Sequence, residues 1–115
     1  MLNKSTVAIF IVVGIGALAI AATSMSASSA AARTASQLYA RNCASCHGRD
    51  GSARTMKARQ NHARKLSDPE WQDRVSDERI FNSIMNGKGK MPGYSRKLSE
   101  QEINSLVSYV RGLKR

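Results

Sequence analysis

The sequence predicts an all-α domain of three to five short helices. Three observations carry that reading. No segment alternates apolar and polar residues as a half-buried strand would. Helix-start signals recur at Thr34, Ser67-Asp68, Ser76 and Ser99. The last of them opens a run in which Ile103, Leu106, Val107, Val110 and Leu113 repeat at helical spacing.

The elements follow in order from the amino terminus. Lys4 supplies a short positive region, and Val7 to Ala22 is an uninterrupted charge-free block of 16 residues. Residues 23–32 behind it are nearly all Ser and Ala, the small residues that a signal peptidase accepts, with candidate cleavage after Ala30 or Ala32. A spanning helix needs about 20 apolar residues and a signal-peptide core about 7–15, so the block falls between the two. Residues 1–32 therefore read as a signal peptide or an uncleaved N-terminal anchor, and residues 33–115 as an exported domain. That places the domain in the periplasm, free or anchored and facing it.

Thr34 and Gln37 form a capping box for a first helix from about Ala35, with Gly48 as its stop. Arg49 to Leu66 is basic and lacks a helical apolar period, which predicts a long surface loop. Pro69 stands in the first turn of a second helix, where its missing N–H costs nothing. Ser76-Asp77-Glu78 opens a third, with Ile80, Phe81, Ile84 and Met85 on one face and Gly87 closing it. Ser99 and Glu102 form a capping box for the last, and Leu98 with Ile103 sits where a hydrophobic staple belongs.

The chain has 115 residues and a formal charge of +10, but its apolar residues are unevenly spread. Residues 33–115 hold only 27 of them among 83, six being alanine, alongside 17 Lys/Arg and 8 Asp/Glu. Twenty-one large apolar side chains make a thin core, and a domain this small usually needs a covalent or metal staple. Composition excludes collagen, solenoid repeats and low-complexity linkers. Two cysteines cannot form a multi-bridge disulfide scaffold.

Both cysteines lie in Cys43-Ala44-Ser45-Cys46-His47. C-x-x-C-H is the attachment run of c-type haem: two thiols on one side of a helix end reach the two vinyl groups of a porphyrin, and the adjacent imidazole turns onto the iron. A thioredoxin-like dithiol would want a β-α-β context, and a zinc site would want two more ligands; neither is present. Covalent haem also supplies the missing core. The opposite face of the iron has four candidates, Met56, Met85, Met91 and His62. Met85 shares an apolar helix face, and Met56 lies too close to His47 to cross the ring. Met91 sits in Gly87-Lys88-Gly89-Lys90-Met91-Pro92, a glycine-relaxed loop 44 positions after His47, and its soft thioether suits haem iron. Met91 is the preferred sixth ligand, with His62 as the alternative.

These pieces, C-A-S-C-H-G, I-M-N-G-K-G-K-M-P-G-Y and the last helix L-S-E-Q-E-I-N-S-L-V-S-Y-V-R, resemble a class I c-type cytochrome of the short single-haem bacterial kind. The resemblance spans about Ala35 to Arg115. It implies a cytochrome c-like fold around one covalent haem c, Cys43 and Cys46 as attachment residues, and His47 with Met91 as axial ligands. It also implies that Tyr39 packs on the last helix near Leu106, Tyr109 or Val110. Two departures stand out. The family glycine at the helix crossing is Ala35 here, and no proline precedes Pro69 to offer its carbonyl to His47. Trp71, or one of Arg49, Arg54, Lys57, Arg59, Arg64 and Lys65, is a candidate partner for a haem propionate.

With both axial positions filled, the expected function is outer-sphere electron transfer between redox partners, without enzymatic activity of its own. The alternative is a haem c subunit of a periplasmic dehydrogenase, oxidase or reductase; a labile sixth position would instead make a gas sensor or peroxidase-like site. The charge attracts polyanions in general, but no nucleic-acid-binding motif accompanies it. An acidic redox partner docking at the Lys88 and Lys90 side is expected, with possible membrane association through the N-terminal segment.

Overall fold

A computed structural model of the chain describes residues 33–115; the proposed leader, residues 1–32, lies outside the described residues. Six helical segments follow one another: α1 Ala35–Asn42, α2 Ala44–His47, α3 Met56–Asn61, α4 Pro69–Arg74, α5 Asp77–Asn86 and α6 Glu100–Arg111. No strand occurs among the described residues, only an isolated bridge between Lys88 and Met91. No helix among them is long and apolar enough to cross a membrane.

The caps explain where the helices begin. Thr34 accepts from the Gln37 N–H while the Gln37 side chain accepts from the Thr34 N–H, and Ser99 and Glu102 do the same for α6. Asp68 caps α4 ahead of Pro69, and Ser76 caps α5. Two segments stand beyond the four helices that the start signals place. The first helix is broken at Cys43, which leaves α2 as one further turn ending at Gly48. Residues 49–66 are not all loop: Thr55 accepts from the Ala58 N–H and starts α3. That helix buries only Ala58, so its stability rests on its cap and on good helix formers, and no apolar period betrays it.

The core joins both ends of the domain. Helices α1 and α6 pack together, and α5 packs on α6. Leu38, Tyr39, Ile103 and Leu106 are the most deeply buried side chains, flanked by Ile80, Ile84, Leu98 and Val110. The Tyr39 and Tyr109 rings stand 4.8 Å apart with a tilt of 37°, in the preferred range for aromatic pairs. The contact expected of Tyr39 with the last helix is thus made. Ala35 stands half-buried at the start of α1, and the crossing forms without the family glycine.

A polar knot ties α6 to the α4–α5 connection. Gln72, 4% exposed, donates to the carbonyls of Leu66 and Val110. Arg111 donates to the Gln72 carbonyl (2.6 Å) and amide oxygen, to the Val75 carbonyl (2.6 Å) and to Asp77 (2.6 Å). Buried amides are costly when unpaired, and here every one is answered.

The backbone places two non-glycine residues in the left-handed region, Ala53 and His62. Ala53 has φ of +53°, where an L-residue loses roughly 1–2 kcal/mol, and its N–H bonds to the His47 carbonyl at 2.8 Å. Ala53→Gly relieves that strain at an entropic cost of roughly 0.5–1 kcal/mol. A net gain of about 0.5 kcal/mol is expected, read as a higher urea midpoint at unchanged slope; a lower midpoint would refute the strain.

Candidate functional site

The cavity at the centre of the domain begins with the short helix α2. Its one turn brings Cys43, Cys46 and His47 onto one wall, because residues three apart share a helix side. Two tyrosine hydroxyls hold the two ends of this segment. Tyr94 donates to the Asn42 carbonyl (2.8 Å), just before Cys43, and Tyr39 donates to the Gly48 carbonyl (2.7 Å), just after His47. Burial, with the neighbouring Cys43, pushes the Tyr39 phenol well above its ordinary range, so it remains a donor. Thr55, the cap of α3, also donates to the Ser45 and Cys46 carbonyls.

His47 is nearly buried at 9% exposure. Its Nδ1 lies 2.8 Å from the Arg64 carbonyl. A carbonyl only accepts, so Nδ1 carries the proton and Nε2 is left with its lone pair free for a metal. Burial holds the imidazole below its ordinary range, and the Arg64 bond opposes that only in part. The partner of His47 that the sequence left unassigned is therefore the backbone carbonyl of Arg64. Every residue has a carbonyl, so no side-chain pattern marks it. The chain reaches it by a left-handed turn at His62, with φ of +53°.

The two cysteines are free and half-buried. Burial and the adjacent Cys46 push the Cys43 thiol up to about 11. A thiol held protonated in this way lacks the thiolate character of redox dithiols.

Met91 enters from the far side of the sequence. Its N–H bonds to the Lys88 carbonyl and its carbonyl accepts from the Lys88 N–H, both at 3.0 Å, closing a tight turn. Gly87 and Gly93 press this turn against the end of α5. A Cβ on Gly93 would stand 2.7 Å from the Asn86 carbonyl carbon, and one on Gly87 2.6 Å from the Met91 oxygen. Pro92 and Met91 line the cavity, and Lys90 donates to the Gln60 carbonyl at the end of α3 (3.0 Å).

The cavity is about 650 Å³ and mostly apolar, within the roughly 300–1,000 Å³ of ligand and cofactor sites. Cys43, Cys46, His47 and Met91 all face it, with Leu66 and Ile84 among its apolar walls. Of the competing ligands, His62 also borders it, whereas Met85 packs against the core and Met56 is 69% exposed. Of the basic residues considered for a propionate, Arg64 alone lies on the wall; Arg74 and Arg79, which the sequence did not single out, lie there too. Trp71 is half-buried between cavity and core. The donors fit haem: two thiols, an imidazole with one nitrogen free, and a thioether around an apolar space. No group of three or more His, Cys, Asp or Glu able to hold a bare metal ion occurs among the described residues.

Residues 30–110 match the family model of cytochrome c oxidase, cbb3-type, subunit III. The chain belongs to the class I c-type cytochromes. Like them it binds one haem c covalently. The cytochrome is 32% identical over 73 residues to cytochrome c6 of Bryopsis maxima, covering 64% of this chain and 81% of that one. It is 33% identical over 84 residues to the cbb3-type cytochrome c oxidase subunit FixP of Azorhizobium caulinodans. That match covers 72% of this chain but 27% of FixP, so the cytochrome spans about a quarter of that relative's length. Among solved structures, the KustC0563 c-type cytochrome superposes with a TM-score of 0.67 at 38% identity, covering 72% of this chain and all of that one.

The tyrosine hydroxyls yield a direct test. Tyr39→Phe strands a buried carbonyl and is expected to cost about 1–3 kcal/mol, read as a lowered denaturant midpoint with the haem still attached. An unchanged midpoint would show that Gly48 needs no partner.

Proposed function

We propose that the cytochrome is an exported, single-haem electron carrier working by outer-sphere transfer, and that it is not an enzyme by itself. Cys43 and Cys46 would form the two thioethers, and His47 and Met91 would be the ligands of the iron. The observation that carries this reading is the convergence of all four side chains on one apolar cavity. When bound, the haem supplies a one-electron ferrous–ferric couple. The chain's own residues do the rest. The Arg64 carbonyl fixes the imidazole's tautomer and raises its basicity as a ligand. The apolar walls keep water from the ring. The Gly87–Gly93 seam and the Met91 turn hold the thioether in place, so little reorganises when charge changes. Residues 1–32 serve as the export signal or an anchor on the periplasmic side, and residues 33–115 are the cytochrome domain.

A second reading, that the domain serves as the haem c subunit of an oxidase complex, is favoured by the match of residues 30–110 to the subunit III family. In either setting an acidic redox partner would meet the Lys88 and Lys90 side, both lysines being exposed beside Met91.

Three measurements test the assignment. Met91→Ala should abolish the long-wavelength band of sulfur–ferric iron ligation, while Met56→Ala, Met85→Ala and His62→Ala keep it; survival of the band in Met91→Ala would refute the ligand. Cys43→Ala and Cys46→Ala should each leave a single thioether, seen as a shifted pyridine haemochrome band. Lys88→Glu with Lys90→Glu should slow reduction by an acidic partner protein by about tenfold at low salt and little at high salt; equal slowing at both would point to a packing defect.

A further inference from the structure

We propose that Gln72 is the positioning residue of His47: its amide, locked in one orientation by Arg111, fixes the segment whose Arg64 carbonyl meets the His47 Nδ1–H. The proposal rests on His47 being the iron ligand, and it assigns the side chain that governs that ligand's hydrogen bond.

The Arg64 carbonyl stands on the crossing between α3 and α4, where residues 62–68 form no helix. At the start of the crossing the Ala63 N–H bonds to the Ala58 carbonyl (2.9 Å), just after the left-handed turn at His62. At its end Leu66 and Ser67 turn inward and are buried. The Ser67 backbone pairs with Gly51 and Arg115, both at 3.1 Å. Besides His47 itself, Gln72 is the one side chain bonded to the backbone of residues 63–67 among the described residues. It grips the Leu66 carbonyl, two residues beyond Arg64.

The amide can serve in one orientation only. Its Nε2 donates to the Leu66 carbonyl (2.9 Å) and the Val110 carbonyl (2.8 Å), which ties the crossing to α6. Its Oε1 accepts from Arg111 (3.0 Å). Carbonyls only accept and a guanidinium only donates, so the flipped amide would lose all three bonds. Arg111 is itself anchored by the Gln72 and Val75 carbonyls and by Asp77. Burying an amide carries a desolvation cost that a leucine here would not incur, and its net return in stability is small. What a fully satisfied network supplies is a single geometry. That geometry matters two residues away. The His47 Nδ1 to Arg64 oxygen distance of 2.8 Å is shorter than the usual N–H···O bond. A crossing free to drift outward would weaken the bond that sets the ligand's basicity.

The test is hydrogen exchange of the His47 ring N–H in the 15N-labelled ferrous holoprotein, read by NMR against the Leu106 backbone N–H. Leu106 lies in α6 and is fully buried, so its amide reports global opening. Gln72→Leu is expected to speed the ring N–H about tenfold relative to Leu106, roughly what one buried hydrogen bond is worth. Ile103→Val, a core change at the opposite end of α6 from Arg111, should leave the ratio unchanged. Arg111→Met keeps the amide but frees its orientation, and should raise the ratio about threefold or more. Adding Arg111→Met to Gln72→Leu should raise it no further. Equal acceleration of both protons in Gln72→Leu would make Gln72 a stabilising residue only and overturn the proposal. If Gln72→Leu does not fold, an unchanged ratio in Arg111→Met overturns it instead. Additive effects in the double variant would overturn the action of Arg111 through the amide. In the wild type, His47 ring protons lacking the ring-current shift of an iron-bound imidazole would defeat the ligand reading alone, because the exchange ratio still reports the clamp.

Discussion

An apolar cavity that side chains alone do not fill is the constraint on which the rest of this fold depends. Thirteen hydrophobic residues are buried in the described domain, and they close a seam between α1, α5 and α6 rather than a full core. Beside that seam stands a space of about 650 Å³ whose walls come from nearly every segment. Apolar burial yields roughly 25 cal/mol per Å², so a domain with so few large side chains gains much of its cohesion from what occupies that space. The covalent haem of the family answers this need and cannot diffuse away when the short helices fluctuate.

Around the cavity the protein fastens backbone more than it packs side chains. The attachment segment is held at Asn42 and Gly48 by two phenols, at Ser45 and Cys46 by a threonine, and at His47 by a carbonyl seventeen residues on. The far wall is held the same way, with Arg111 and Gln72 joining α6 to the α4–α5 connection through main-chain oxygens. Hydrogen bonds to charged or buried groups are worth more than their exposed counterparts. They let short helices, each too brief to be stable alone, keep a fixed geometry.

What could be read from the sequence follows from this division. Features that reside in side-chain type were legible: the caps at Thr34, Asp68, Ser76 and Ser99, the apolar stripe of α6, the C-x-x-C-H run, and Met91 beside its proline and glycines. The all-α fold followed from them. Features that reside in the backbone were not. The partner of His47 is a carbonyl, and the arginine that owns it was weighed only for its charge. Helix α3 escaped because a helix that buries one alanine leaves no period in the sequence. Tyr39 was read as a packing residue, which it is, and Tyr94 only as part of a motif; the hydroxyl bonds of both depend on where Gly48 and Asn42 fall in space.

The Met91 turn carries a consequence for protein engineering. Its two ends are pinned, since Gly87 and Gly93 meet neighbouring backbone so closely that not even a methyl group fits. Its tip is open: a Cβ at Gly89 would meet nothing within 4 Å. Loop tips of this kind accept inserted residues when the flanking geometry is held. Residues inserted beside Gly89, which itself keeps the φ of +58° that favours glycine, are therefore the place to graft a peptide or tether a photosensitiser, giving a wired or light-driven cytochrome whose attachment point stands next to the Met91 thioether without disturbing the seam that positions it.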